Sequence, residues 1–333
     1  MTNWKIFVGS RVPHDGLQEL SFPPPWRRSS VQEKPRKPLA PLFDLEAEKD
    51  RGEPILLGED VQRAINASLF LRRPLLITGK PGVGKSSVIS AVAFELRMGP
   101  VLRWPITSRT TVKNGLYEYD AIGRLQAQQA KDPNSELGDF LRLGPLGTAL
   151  YETAWPRALL IDEIDKGDLD LPNDLLNLVE EGEFEIPELV RAKDEVVSVR
   201  LHASEHRVQI RKGRVTCKQF PFITMTSNGE REFPAPFLRR CIRITVPPPK
   251  KEDLSDIVKA HLGRHLNDQT RPQVNNLIDD FLKRQETQEL ATDQLLNAVF
   301  VVLGNGRQSI DRDECSRMVD LLLKQLTTLQ ATS

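Results

Sequence analysis

Eight consecutive residues carry the strongest chemical signal in the sequence. Gly79-Lys80-Pro81-Gly82-Val83-Gly84-Lys85-Ser86 fits G-x-x-x-x-G-K-[ST], a loop that curls main-chain amides around a phosphate. The glycines let the backbone turn so that several N–H groups face one anion, and a helix that follows at once adds its positive N-terminal end. In that arrangement Lys85 spans the β- and γ-phosphates of a nucleoside triphosphate, and the Ser86 hydroxyl ligates Mg²⁺. The metal also needs a carboxylate at the end of a neighbouring apolar strand. Ala158-Leu159-Leu160-Ile161-Asp162-Glu163 supplies it: Asp162 for the metal, then Glu163 to orient and polarise the attacking water. Glu163 separates a hydrolase from a mere nucleotide binder. The plainer reading makes these acids caps of a helix beginning near Asp165; it suits Asp165 better than two residues at a strand terminus.

A third element is Phe222-Ile-Thr-Met-Thr-Ser-Asn228, an apolar strand ending in an amide placed to sit beside the γ-phosphate and the water. Alone this signal is weak, because Asn is also a common turn residue. Further on, Phe233-Pro-Ala-Pro-Phe-Leu-Arg239-Arg240-Cys241 sets two guanidinium groups just before another apolar segment. Such a pair is often a solvated helix end, yet an arginine reaching a neighbour's γ-phosphate contributes a factor of roughly 10³ to 10⁵ in rate.

These side chains need a frame. Apolar runs at 74–78, 101–104, 158–161, 222–226 and 242–246 read as short buried strands, and helical periodicity fills stretches such as 61–70, 86–96 and 172–181. Strands alternating with helices predict an α/β fold, an αβα sandwich around a mostly parallel sheet. After Pro247-Pro248-Pro249 no strand pattern remains, and helical patterns occupy 251–264, 272–284, 291–303 and 312–329, so a small all-helical lid domain follows. The expected division is a proline-rich extension over 1–50, a nucleotide-binding domain over 51–248 and the lid over 249–333. The chain has 333 residues, and its 46 Lys and Arg balance 46 Asp and Glu. That balance argues against bulk attraction to nucleic acid or anionic membrane. No apolar run approaches the 18 or so residues of a membrane span.

The order of parts resembles the AAA+ ATPases of the MoxR type, within the P-loop NTPases, over about residues 55 to 325. The resemblance rests on the phosphate loop, Leu-Leu-Ile-Asp-Glu-Ile-Asp-Lys at 159–166, the Leu-Pro-Asn-Asp-Leu-Leu-Asn-Leu-Val-Glu-Glu-Gly run at 171–182, Thr-Ser-Asn at 226–228 and Pro-Ala-Pro-Phe-Leu-Arg-Arg at 234–240. It implies a ring, usually of six subunits, that hydrolyses Mg-ATP between neighbours. Chaperone-like remodelling of a protein client is implied as well, often with a von Willebrand factor A domain partner. Asn228 would then be the first sensor, and Arg239 or Arg240 the finger. One departure stands out: 288–296, where the family often carries a basic second sensor, has no Lys or Arg, leaving Arg284 or Arg307 as substitutes. Two rival functions remain open: a slow nucleotide-gated scaffold or switch, and a nucleic-acid-stimulated motor.

The second rival would use a basic stretch. From Arg200 to Lys218 six basic residues face one acid, Glu205. Alternation over 207–217 predicts a β-hairpin turning at Lys212-Gly213. That hairpin is either a solvated edge guarded by charge or a grip for an acidic partner, such as the acid-rich stretch 162–188 of a neighbour. His202/His206 and His261/His265 have i, i+4 spacing but lack the Glu and third ligand of a zincin. Three scattered cysteines, Cys217, Cys241 and Cys315, read as reduced and structural. The start has no apolar leader stretch, so the expectation is a cytoplasmic protein. Prolines 13, 23, 24, 25, 35, 38 and 41 make the N-terminal region a linker or a docking arm for Trp4, Phe7, Phe22 and Trp26. As an adaptor, its removal over 1–45 should spare nucleotide binding.

Overall fold

A computed structural model describes residues 4–25, 34–38, 43–55, 57–130, 135–151, 153–263, 266, 270–287, 290–304 and 312–323. Trp26, His265, Gln288, Glu289, Arg307 and the end of the last expected helix lie outside the described residues. The first half runs α1 (Lys49–Gly52), α2 (Glu59–Leu71), β1 (Leu75–Thr78), α3 (Ser87–Glu95), β2 (Leu102–Pro105), α4 (Val112–Leu116), β3 (Tyr117–Tyr119), α5 (Ala121–Gln129), β4 (Leu141–Leu143), α6 (Pro145–Leu150) and β5 (Ala158–Asp162). Then come α7 (Leu171–Glu181), β6 (Glu183–Glu185), α8 (Pro187–Val190), β7 (Val196–Arg200), β8 (Arg207–Arg211), β9 (Arg214–Thr216), β10 (Phe222–Ser227), α9 (Ala235–Leu238) and β11 (Ile242–Thr245). The chain closes with α10 (Lys251–Leu262), α11 (Arg271–Gln285), α12 (Thr292–Gly304) and α13 (Arg312–Leu322).

All five apolar runs enter one parallel sheet, ordered β11-β1-β10-β5-β2. Both faces of this sheet are covered, which is why its strands read as unbroken apolar runs. Leu75, Ile77, Ala158, Leu160 and Phe222 turn to one side, against Ile65 and Leu69 of α2 and Val88, Ile89 and Val92 of α3. Leu76, Leu159, Ile161, Ile223 and Met225 turn to the other, against Leu175, Leu176 and Val179 of α7. The fold is thus the α/β sandwich expected, and a third core of Leu254, Val258, Ile278, Phe281, Leu295 and Val299 holds the C-terminal helices together. Parallel pairing puts every strand's carboxyl end on one edge, where open α/β sheets bind ligands.

The proline-rich start is seated on this domain rather than hanging free. Phe7, Leu17 and Leu20 are buried in the core beside α2 and α3. Asn66 of α2 accepts from the Ile6 and Phe7 amides and donates to the Phe7 carbonyl. Glu95 of α3 accepts from the amides of Val8, Gly9 and Arg11. Of the aromatic side chains some of which the docking arm would pack, Phe7 is buried while Trp4 and Phe22 are exposed.

The region on both sides of β5 holds a second sheet, β3-β4-β7-β8-β9-β6. Its β8–β9 hairpin turns at Lys212 and Gly213 as expected, with φ of 50° and 70°; two left-handed residues match the strand twist. The four other strands, β3, β4, β6 and β7, are not anticipated from the pattern.

Candidate active site

The loop 79–86 leaves β1 and enters α3 directly. Positive φ at Gly79 (155°), Gly82 (73°) and Gly84 (85°) is where side chains other than glycine are strained. A Cβ on Gly79 would meet the Val246 carbonyl oxygen at 2.6 Å, while above Gly84 the space is open. Lys85 lies buried under the loop, its Nζ donating to the carbonyls of Gly79 and Lys80, each at 2.8 Å, and to Asn228 Oδ1 at 2.7 Å. Burial pulls the Lys85 pKa below its ordinary value, and the charges of Asp165, Asp162 and Glu163 oppose that shift.

Parallel register aligns the remaining parts. Met225 pairs with Ile161, so Thr226 comes next to Asp162. Thr226 Oγ1 donates to Asp162 Oδ1 at 2.5 Å and accepts from the Glu163 amide at 2.9 Å. Ser86 Oγ also donates to Asp162 Oδ1, at 2.8 Å, and so does not cap its own helix. Ser86 and Asp162 thus present two hard oxygen donors side by side, the set a Mg²⁺ ion prefers. Glu163 stands in left-handed backbone, φ 57° and ψ 50°. Its Oε1 accepts from Asn228 Nδ2 at 3.4 Å and its Oε2 from Lys166 Nζ at 2.7 Å. One amide, Asn228, therefore bridges the loop lysine and the second acid.

Two residues here escaped the sequence reading. Thr226 has no motif of its own and is found only through strand register. Asp165 does not cap a helix: 164–166 is a 3-10 turn and α7 begins at Leu171. Its Oδ2 instead accepts from Ser227 Oγ and from the amides of Asn228 and Glu230.

The arginines part company. Arg240 donates to Asn177 Oδ1 at 2.9 Å and pairs with Glu180 at 3.5 Å, both on α7. Arg239 is exposed; its carbonyl accepts from Arg73, and among the described residues its guanidinium has no hydrogen bond or ion pair. Neither arginine bonds to loop 79–86 or to Glu163 among the described residues. Arg284 is unsuited as a second sensor, being bound to Asp280 and Asp320 within the helical domain. The lid meets the phosphate loop through backbone: the Thr292 amide, at the start of α12, donates to the Gly82 carbonyl at 3.2 Å, and a Cβ on Gly82 would collide with Ala291.

The basic hairpin is largely neutralised in place. Arg207 pairs with Asp139, Arg211 and Lys212 with Glu195, and Arg214 with Glu183, which favours a guarded edge over a grip for an acidic partner. Among the described residues no group of three His, Cys, Asp or Glu is placed to hold a metal. Cys217 and Cys241 are buried, which pushes both thiols up to about 12. No helix among the described residues is long and apolar enough to cross a membrane.

A comparison with curated proteins finds no match. The family model described as AAA domain (dynein-related subfamily) matches residues 74–240, from the strand before the phosphate loop to the second arginine. With half of its length so matched, and with an intact phosphate loop and paired acids inside that span, the chain belongs to the AAA domain family, dynein-related subfamily.

Proposed function

We propose that this protein is a MoxR-like AAA+ ATPase that binds and hydrolyses Mg-ATP at the subunit interfaces of a hexameric ring and uses the cycle to remodel a protein client. A von Willebrand factor A domain protein is the partner class this likeness suggests. Residues 51–248 would bind nucleotide and 249–333 act as the lid, with the 1–50 extension bracing the first. The observation that carries the reading is the bridge from Lys85 through Asn228 to Glu163, beside the Ser86–Asp162 pair.

In this reading the amides of 79–86 cradle the phosphates and Lys85 neutralises them, while Ser86 and Asp162 hold the metal. Mg²⁺, when held by Ser86 and Asp162, would supply neutralisation of the phosphate charge. Glu163 and Asn228 orient the water, and the exposed Arg239 reaches a neighbour's nucleotide. Arg240, already engaged by α7, serves as a brace instead. Catalysis of this kind is positioning and charge stabilisation.

Glu163→Gln is expected to bind ATP as the parent does while phosphate release falls by about 10² to 10⁴. Lys85→Ala is expected to weaken ATP binding measured by calorimetry. Equal phosphate release from Glu163→Gln and the parent removes Glu163 from the role. One observation favours the switch as a second reading: Glu163 Oε2 is held by Lys166, so it must release that contact before this oxygen serves water. A switch would keep slow turnover with any partner and change its oligomeric state with the nucleotide. The nucleic-acid motor loses its main support with the pairing of the hairpin charges.

A further inference from the structure

The turn after β10 is gathered by a single carboxylate that the expected machinery does not use. Asp165 is 5% exposed. Its Oδ2 accepts from Ser227 Oγ at 2.8 Å, the Asn228 amide at 3.0 Å and the Glu230 amide at 3.1 Å. Ser227 Oγ in turn accepts from the Gly229 amide at 3.0 Å, and Gly229 takes a φ of +79°. The backbone of 228–230 is thus tied, directly or through one hydroxyl, to one oxygen two residues beyond Glu163. Asn228 starts from that backbone, and its side chain reaches Lys85 on one side and Glu163 on the other. Among the described residues the second oxygen, Oδ1, is buried without a hydrogen-bond partner, so the hold on the turn falls to Oδ2 alone.

We propose that Asp165 is a positioning residue for hydrolysis: it fixes the 227–230 turn so that Asn228 spans Lys85 and Glu163. This rests on the ATPase reading above. Asp165 acts through Asn228, whose amide it holds, and a displacement near 1 Å in such a group lowers turnover by about 10²-fold. The role is geometric, which separates it from one that depends on charge.

Three substitutions test it in the full chain. Asp165→Glu keeps the charge but moves the acceptor by a methylene; Asp165→Asn drops the charge and keeps an oxygen in place; Asp165→Ala removes both. Expected for Asp165→Glu and Asp165→Ala is a kcat about 10²-fold lower, with KM and the ATP dissociation constant within about threefold of the parent, the split that marks an interaction made in the transition state. Asp165→Asn is expected to recover to within about tenfold of parental kcat. Amide hydrogen exchange at 228 and 230, measured without nucleotide, should rise at least about tenfold in the Glu variant and stay near parental in the Asn variant. Should the Ala variant not fold, the Glu and Asn pair decides. Parental kcat in Asp165→Glu, or Asn activity as low as Glu, overturns the proposal; so does a loss confined to KM. If the parent itself releases no phosphate, the ATPase reading fails first, and parental exchange in Asp165→Glu then removes the holding role too.

Discussion

Glu163 shows how little of an active residue's setting lies in its motif. Its left-handed backbone costs about 1–2 kcal/mol for a residue with a side chain. Its carboxylate is held by Lys166 on one oxygen and Asn228 on the other. The Lys166 contact is half exposed on both sides, and such pairs contribute about 0–1 kcal/mol. Lys166→Met is therefore expected to raise phosphate release modestly, by less than about fivefold, in a steady-state assay; a large fall would mean that Lys166 contacts nucleotide. The two arginines should separate more sharply. Arg239→Ala is expected to lose roughly 10³-fold or more in turnover at unchanged ATP affinity. Arg240→Ala, which removes the bond to Asn177 and the ion pair with Glu180 of α7, is expected to stay within about tenfold and to lower Tm instead, because a hydrogen bond involving a charged group contributes about 1.5–3 kcal/mol and a partly exposed ion pair about 0–1 kcal/mol. Kinetics and a melting curve on each variant check both.

Elements explain what the motif cannot place. The prolines of the N-terminal extension, 1–50, indicate a linker or docking arm, yet Phe7, Leu17 and Leu20 lie in the core beside α2 and α3. Phe7→Ala is expected to cost about 3–5 kcal/mol, a Tm fall on the order of 10 °C by calorimetry. Removing 1–45 should cost more, so any loss of ATP binding in that variant would follow from loosened α2 and α3. At the opposite edge, the contact of Gly82 with Ala291 and Thr292 links loop and lid. Gly82→Ala combines a left-handed φ with a collision. It is expected to part the lid from the loop, raising amide exchange at Thr292 and weakening ATP binding; unchanged exchange would show the contact to be incidental. The second sheet was the hardest element to foresee. Strands β3, β4 and β6 are three residues each, too short for a period of two to register. Strand β7 does alternate, with Val197 and Val199 turned inward.

For the molecule as a whole, assembly and pH response are the observables. The proposed ring, with an exposed Arg239 reaching a neighbour's site, predicts that native mass measurement with ATP and Mg²⁺ finds six times 37.6 kDa; a persistent monomer would leave Arg239 without a target. His202 offers a check on the second sheet. Burial holds its pKa below the ordinary 6.5, Arg142 and Arg157 push the same way, and Glu118 opposes them. The unfolded chain then takes up the proton first, so stability is lost as pH falls from about 6.5 towards the lower folded value. His202→Gln should flatten the Tm profile over that interval.

Read without any structure, the residues already display the glycine-rich loop pattern at 79–86, an acidic pair at the end of an apolar run, five sheet strands and a helical finish. These are legible because each depends on consecutive side chains or on a local period, which chain chemistry sets before any tertiary contact forms. Legibility stops where function depends on register. Lys85 meets Asn228 across 143 positions, Thr226 meets Asp162 across 64 and Asp165 meets Ser227 across 62. The same holds for the ion pairs that quiet the basic hairpin and for the contacts with α7 that set Arg240 apart from Arg239. Such contacts arise only when parallel strands slide into one alignment and bring distant segments to a common edge, and packing of the whole sandwich selects that alignment.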